Sequence, residues 1–121
     1  MNRDKIVITG LGVLAPNGNN VNEYWNNIVN GKSGIAPITY FDSSNHRVKI
    51  AGELKNFNPE RVLDTKELRK LDPFSTYAIV ATNEAVSMAG LEPEKLNLDR
   101  VGVTIGTGVG GIQTLEEQHS N

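Results

Sequence analysis

The sequence predicts an α/β fold with mostly parallel strand pairing, read as an incomplete half-domain. Three observations predict it. Two apolar, β-branched runs, at residues 5–13 and 101–105, read as strands buried on both faces. A series of helix signals lies between them. A glycine-rich loop follows the second run and leads into another helix start. Strands alternating with helices place the helices over a parallel sheet.

The first run carries Ile6, Val7 and Ile8 in succession and ends at a turn cluster, Pro16-Asn17-Gly18-Asn19-Asn20. A helix is expected over 21–30, because Val21, Trp25, Ile28 and Val29 fall on one face. Asn20 can cap it, Glu23 stands in a capping-box relation, and Gly31 fits a left-handed stop. Residues 31–45 look irregular, with a strand expected near 38–41 and another over 48–51. Asn58-Pro59 opens a short helix, and Asp64 with Glu67 opens a second. Asp72-Pro73 opens the longest, over 73–89, stopped by Gly90. Its apolar residues cover most of the circumference, so burial on more than one side is expected. A last helix begins after Gly111 and runs to residue 121 without a terminal signal, the pattern of a chain cut from something longer.

Composition narrows the function. The chain has 121 residues, 38% hydrophobic and 21% charged, which fits a globular domain or part of one. A net charge of −2 gives no global attraction to nucleic acid or anionic membrane. There is no cysteine, which removes a thiolate nucleophile, a disulfide framework and a thiolate zinc site. No targeting segment and no membrane-length apolar stretch is present, so a cytoplasmic protein is the default expectation. The two histidines, His46 and His119, have neither zinc spacing nor an obvious acidic partner, and no G-x-S-x-G elbow occurs. No metal, no cofactor and no catalytic residue is expected within these 121 residues.

Six of the twelve glycines fall in two clusters. Gly10-Leu11-Gly12-Val13-Leu14-Ala15 matches a loose dinucleotide fingerprint, but Pro16 and Asn17-Gly18 interrupt the helix that a pyrophosphate would need. Close backbone packing is the better reading. Gly106-Thr107-Gly108-Val109-Gly110-Gly111 has the better context, a strand before and a helix after. It allows two readings, a phosphate cradle in a nucleotide-binding module and a tight loop in a packed sheet. Lys66, Arg69 and Lys70 sit at i, i+3 and i+4 and would share one helix face. That patch is either a solvated face or a docking surface for an acidic partner.

Five segments together resemble the start of a β-ketoacyl-acyl-carrier-protein synthase. They are Ile6-Val7-Ile8-Thr9-Gly10-Leu11-Gly12-Val13, Gly31-Lys32-Ser33-Gly34-Ile35, Phe41-Asp42, Arg69-Lys70-Leu71-Asp72-Pro73-Phe74 and the stretch from Val101 through Gly111. They stand in the family's order and spacing and span essentially the whole chain. Val109 favours the type II branch, where a branched aliphatic residue is usual; type I members tend to have glycine there. Thr107 stands where serine is more common, and polyketide ketosynthases share the same motifs.

The resemblance implies a thiolase-like fold, of which this chain is the N-terminal part. It implies fatty-acid chain elongation by decarboxylative condensation of an acyl-enzyme with malonyl-acyl carrier protein. The cysteine nucleophile and two histidines of that chemistry lie beyond residue 121 in the family, and neither His46 nor His119 matches them. Val109 and Gly108 fall at the family's acyl pocket. Lys66, Arg69 and Lys70 fall at its carrier-protein docking patch. The implied partners are acyl carrier protein, acyl and malonyl thioesters, and a second copy of the full-length protein.

Overall fold

The computed structural model describes residues 5–120. In chain order it contains α1 (Val21–Val29), β1 (Ala36–Pro37), β2 (Ile50–Ala51), a 3₁₀ turn (Pro59–Arg61), α2 (Thr65–Leu68), α3 (Pro73–Ala89), two more 3₁₀ turns (Pro93–Lys95 and Leu98–Arg100) and α4 (Ile112–His119).

The helix signals translate into helices with little displacement. The Asn20 side chain accepts from the Glu23 N–H and starts α1. Glu23 reaches back to the Asn19 N–H at 2.8 Å, one residue before the position a capping box requires. Gly31, at φ 64°, donates to the Ile28 carbonyl and closes α1. Asn58 caps the first 3₁₀ turn, and Asp64 with Glu67 forms a complete capping box on α2. The longest helix, α3, begins at Pro73 and stops at Gly90 with φ 62°. The starts of α1, the first 3₁₀ turn and α2 each rest on a side chain that satisfies an N–H of the first turn; Asp72 at the start of α3 makes no such bond.

The sheet departs from expectation. The expected mostly parallel sheet is not observed. Among the described residues the only sheet is β1 against β2, antiparallel, with Ala36 opposite Ala51 and Pro37 opposite Ile50. Ile38 extends the pairing by donating to the Lys49 carbonyl. The first strand therefore lies just before the expected 38–41. Neither residues 5–13 nor 101–105 form a strand. A strand exists only where a neighbour completes its ladder of N–H and C=O groups, and these two runs find no such neighbour among the described residues. Their side chains are correspondingly open: Ile6 is 99% and Val103 79% exposed.

Both runs lie against α3 instead. A Cβ on Gly10 would stand 2.1 Å from the Ala85 carbonyl oxygen, and one on Gly12 would stand 1.8 Å from that of Ala81. The first glycine cluster is thus a site of backbone contact, as the packing reading requires, and the helix surface occupies the space a pyrophosphate would need. Leu11 N–H points at the Met88 sulfur, and Val13 N–H donates to Glu84 Oε2 at 2.9 Å. The other oxygen of Glu84 accepts from Val21 N–H at 2.8 Å. One carboxylate on α3 therefore holds both the end of the N-terminal run and the start of α1. Val103 and Ile105 line a shallow apolar cleft with Ile79 and Val86 of α3.

The expectation that α3 is buried on more than one side is not met. Thr76 is its one buried residue, while Phe74, Ile79, Val86 and Met88 are exposed. An apolar helix loses water only where a sheet or second helix covers it, and here the cover consists of irregular segments and local contacts at its ends, with no sheet against it among the described residues. Among the described residues Leu63, beside α2, is the one buried hydrophobic residue.

Candidate functional site

The second glycine cluster occupies residues 106–111 and runs directly into α4. Its two halves differ. Gly106 and Gly108 have no atom within 4 Å of the place a Cβ would take. Val109, between Gly108 and Gly110, is 77% exposed. From Gly110 onward the loop is held. A Cβ on Gly110 would stand 2.8 Å from the Phe74 ring, and one on Gly111 would stand 3.2 Å from Asp72 Oδ2. Gly111 has φ 79° and serves as the N-cap of α4, a left-handed geometry that glycine adopts without steric cost.

Asp72 is the residue that sequence reasoning placed least well. It stands at the N-cap of α3 but makes no side-chain cap bond. Its main-chain carbonyl accepts from Thr76, from both N–H and hydroxyl. Its carboxylate accepts from the hydroxyl of Thr114 on α4. No local signal announces this pairing, because 42 residues separate the partners. Asp72, Phe74, Tyr77 and Val109 line one open cavity of about 240 Å³. Tyr77 also faces a neighbouring cavity with Tyr40 and Phe41, and its ring meets Phe57 edge-on at 5.4 Å. Burial raises the Tyr77 phenol above its ordinary value, and Tyr40 adds to the shift.

The basic residues lie just before Asp72 in the chain. Lys66 is within α2, Arg69 is its C-cap, and Lys70 closes the turn by donating to the Glu67 carbonyl. The helix is a single turn, so the shared face expected from their spacing is short. All three side chains are exposed. Gly108 and Val109 occupy the loop that faces the first turn of α3, and the basic turn leads into that same helix. No hydrogen bond or ion pair among the described residues joins Lys66, Arg69 or Lys70 to Gly108 or Val109; what the two groups share is nearness to the start of α3, by chain for the first and through the cavity lined by Asp72, Phe74 and Val109 for the second.

His46 is exposed and meets Phe41 edge-on at 5.3 Å; His119 ends α4. No group of three metal-binding side chains occurs among the described residues, and no helix among them is long and apolar enough to cross a membrane.

Residues 3–121 match the family model described as β-ketoacyl synthase, N-terminal domain. The chain belongs to the β-ketoacyl synthase family. This β-ketoacyl synthase segment is 49% identical over 115 residues to a Staphylococcus aureus protein named 3-oxoacyl-[acyl-carrier-protein] synthase 2, covering 95% of the chain and 28% of the relative. It is 40% identical over 120 residues to a protein of the same name from Synechocystis, covering 99% of the chain and 29% of that relative. The segment thus spans less than a third of the curated relatives it matches. Among solved structures, the ishigamide ketosynthase/chain length factor is similar with a TM-score of 0.67 and 36% identity, over 74% of this chain and 22% of that one. The fold of this segment is therefore like part of a ketosynthase, even though no parallel sheet is formed among the described residues.

Proposed function

We propose that this segment serves fatty-acid chain elongation, as the N-terminal part of a type II β-ketoacyl-acyl-carrier-protein synthase. The observation that carries the reading is the family match across residues 3–121, together with 40% and 49% identity to proteins named for that activity. In the full-length protein an acyl group is held as a thioester on a cysteine. Malonyl-acyl carrier protein loses carbon dioxide, and the resulting carbanion attacks the thioester carbonyl. The new carbon–carbon bond displaces the cysteine thiolate. Nothing among these residues supplies that thiolate, so the nucleophile and its two histidines belong to the rest of the enzyme. The segment contributes surface and shape: Val109 and Gly108 to the acyl pocket, and Lys66, Arg69 and Lys70 to carrier-protein docking. The unpaired runs at 5–13 and 101–105 become strands of a mostly parallel, thiolase-like sheet once their neighbours are present. The full-length enzyme acts as a homodimer in the cytoplasm. A nucleotide bound at 106–111 is the disfavoured reading, since the loop carries no lysine and the family match accounts for its glycines.

Two measurements test this. The 121-residue chain should not become acylated on incubation with acyl-acyl carrier protein, because it holds no thiol. A stable acyl adduct in its mass spectrum would contradict the assignment of the nucleophile elsewhere. Arg69→Glu in the full-length synthase should slow carrier-protein association by about tenfold at low salt, with the deficit shrinking as salt rises. Unchanged association at low salt would leave the basic turn as a solvated surface.

A polyketide ketosynthase is the second reading, favoured by the likeness to the ishigamide ketosynthase/chain length factor. Primer preference of the full-length protein separates the two: a fatty-acid synthase extends the fully reduced acyl thioester, whereas a polyketide ketosynthase extends an unreduced or partly reduced one.

A further inference from the structure

We propose that the Asp72–Thr114 contact is a latch that positions Val109, making Asp72 and Thr114 positioning residues for acyl chain-length selectivity. This rests on the acyl-pocket reading of Val109 and deepens it. Asp72 occupies a capping position, where an aspartate ordinarily accepts from the first-turn N–H groups of its own helix. Here the carboxylate turns away from that role and binds the Thr114 hydroxyl on α4. Its second oxygen lies against Gly111, and the Phe74 ring covers Gly110. These contacts fasten the C-terminal end of the glycine loop to the first turn of α3. At the N-terminal end a Cβ on Gly106 or Gly108 would meet no atom within 4 Å, and the one contact there is within the loop itself, the Thr107 hydroxyl lying 2.8 Å from the Cβ position of Gly110. Val109 stands at the boundary between the held and the free half, on the rim of the cavity that Asp72, Phe74 and Tyr77 also line.

A side chain at such a boundary has its backbone fixed from one side only. With the latch closed, Val109 can leave its position by rotating about its own bonds. With the latch open, the loop itself can move and take Val109 with it. Opening the latch therefore makes room for longer acyl chains.

The test uses the full-length synthase and compares kcat/KM for a long and a short acyl-acyl carrier protein. Thr114→Val keeps the shape of the side chain and removes the hydroxyl. It should raise the long-to-short ratio by about three- to tenfold, the worth of one hydrogen bond. Thr114→Ser, which keeps the hydroxyl, should restore the original ratio. In a Val109→Ala background, Thr114→Val should no longer change the ratio, because the side chain it positions is gone. Equal losses for both substrates, or a lowered Tm with the ratio unchanged, would overturn the latch. If Val109→Phe alters selectivity while Thr114→Val does not, the acyl-pocket reading stands and the latch falls. If Thr114→Val alters the ratio equally with and without Val109, the residue acts by another route and the proposal is overturned. If neither Val109→Phe nor Thr114→Val moves the ratio, both readings fail together.

Discussion

Val109→Phe in the full-length synthase should lower kcat/KM for long acyl chains by about 10- to 100-fold and leave the shortest acyl substrates close to the parent value. The loop geometry explains the asymmetry. Val109 is flanked by glycines and is largely exposed, so a larger side chain meets little resistance from this segment itself. The added ring instead projects into whatever space the side chain borders. If that space is the acyl pocket, the ring shortens it and leaves its entrance open. A short acyl group still fits, while a long one must displace the ring. The measurement is the ratio of kcat/KM across a series of acyl chain lengths. A uniform loss across the series would mean that Val109 supports the fold and does not set selectivity.

The second large effect lies at the other glycine cluster. Gly12→Val should destabilise the protein by about 3 kcal/mol, the upper end of what overpacking costs in a tight interior. The Cβ would sit 1.8 Å from the Ala81 carbonyl oxygen and 2.7 Å from its carbon. These are backbone atoms of α3, so no side-chain rotation can relieve the clash. The N-terminal run must lift off the helix, which also pulls Val13 away from Glu84. Gly31→Ala is the matched control. It also places a Cβ on glycine, but in open space, where only the left-handed backbone resists; it should cost about 1 kcal/mol. Urea midpoints of the two variants distinguish them. Equal midpoints would show that the helix contact at Gly12 is not tight in solution.

The helices were legible in the sequence because their signals are local. Asn58, Asp64 and Gly31 act on N–H and C=O groups within four residues, and the structure places each where its type requires. Glu23 shows the limit of that precision: the pairing chemistry was right and the partner was one residue away. The sheet was not legible in the same way. Ile6-Val7-Ile8 and the run from Val101 carry the composition of buried strands, yet composition states a preference for cover and not where the cover comes from. The candidate site divides along the same line. The glycine loop around Val109 and the spacing of Lys66, Arg69 and Lys70 can be read locally, while the acyl-pocket and docking roles given to them rest on the family resemblance. Tyr77, Asp72 and Thr114 were missed, because the contacts that matter join residues far apart in the chain. Asp72-Pro73 is already a sufficient local signal for a helix start, and nothing local points to a second partner for the carboxylate.

The single carboxylate of Glu84 has a consequence for the entropy of the chain. It binds the N–H groups of Val13 and Val21, which precede it by 71 and 63 residues. Closing a loop of either length costs about 4 kcal/mol in lost chain freedom. Once one of the two bonds has formed, the other has only the eight residues from Val13 to Val21 left to close, at about 2 kcal/mol. The first bond thus carries most of the cost of both. The turn at 13–21 therefore joins or leaves α3 as one unit, and Gly10 and Gly12 are brought to the helix by a neighbour already tethered there.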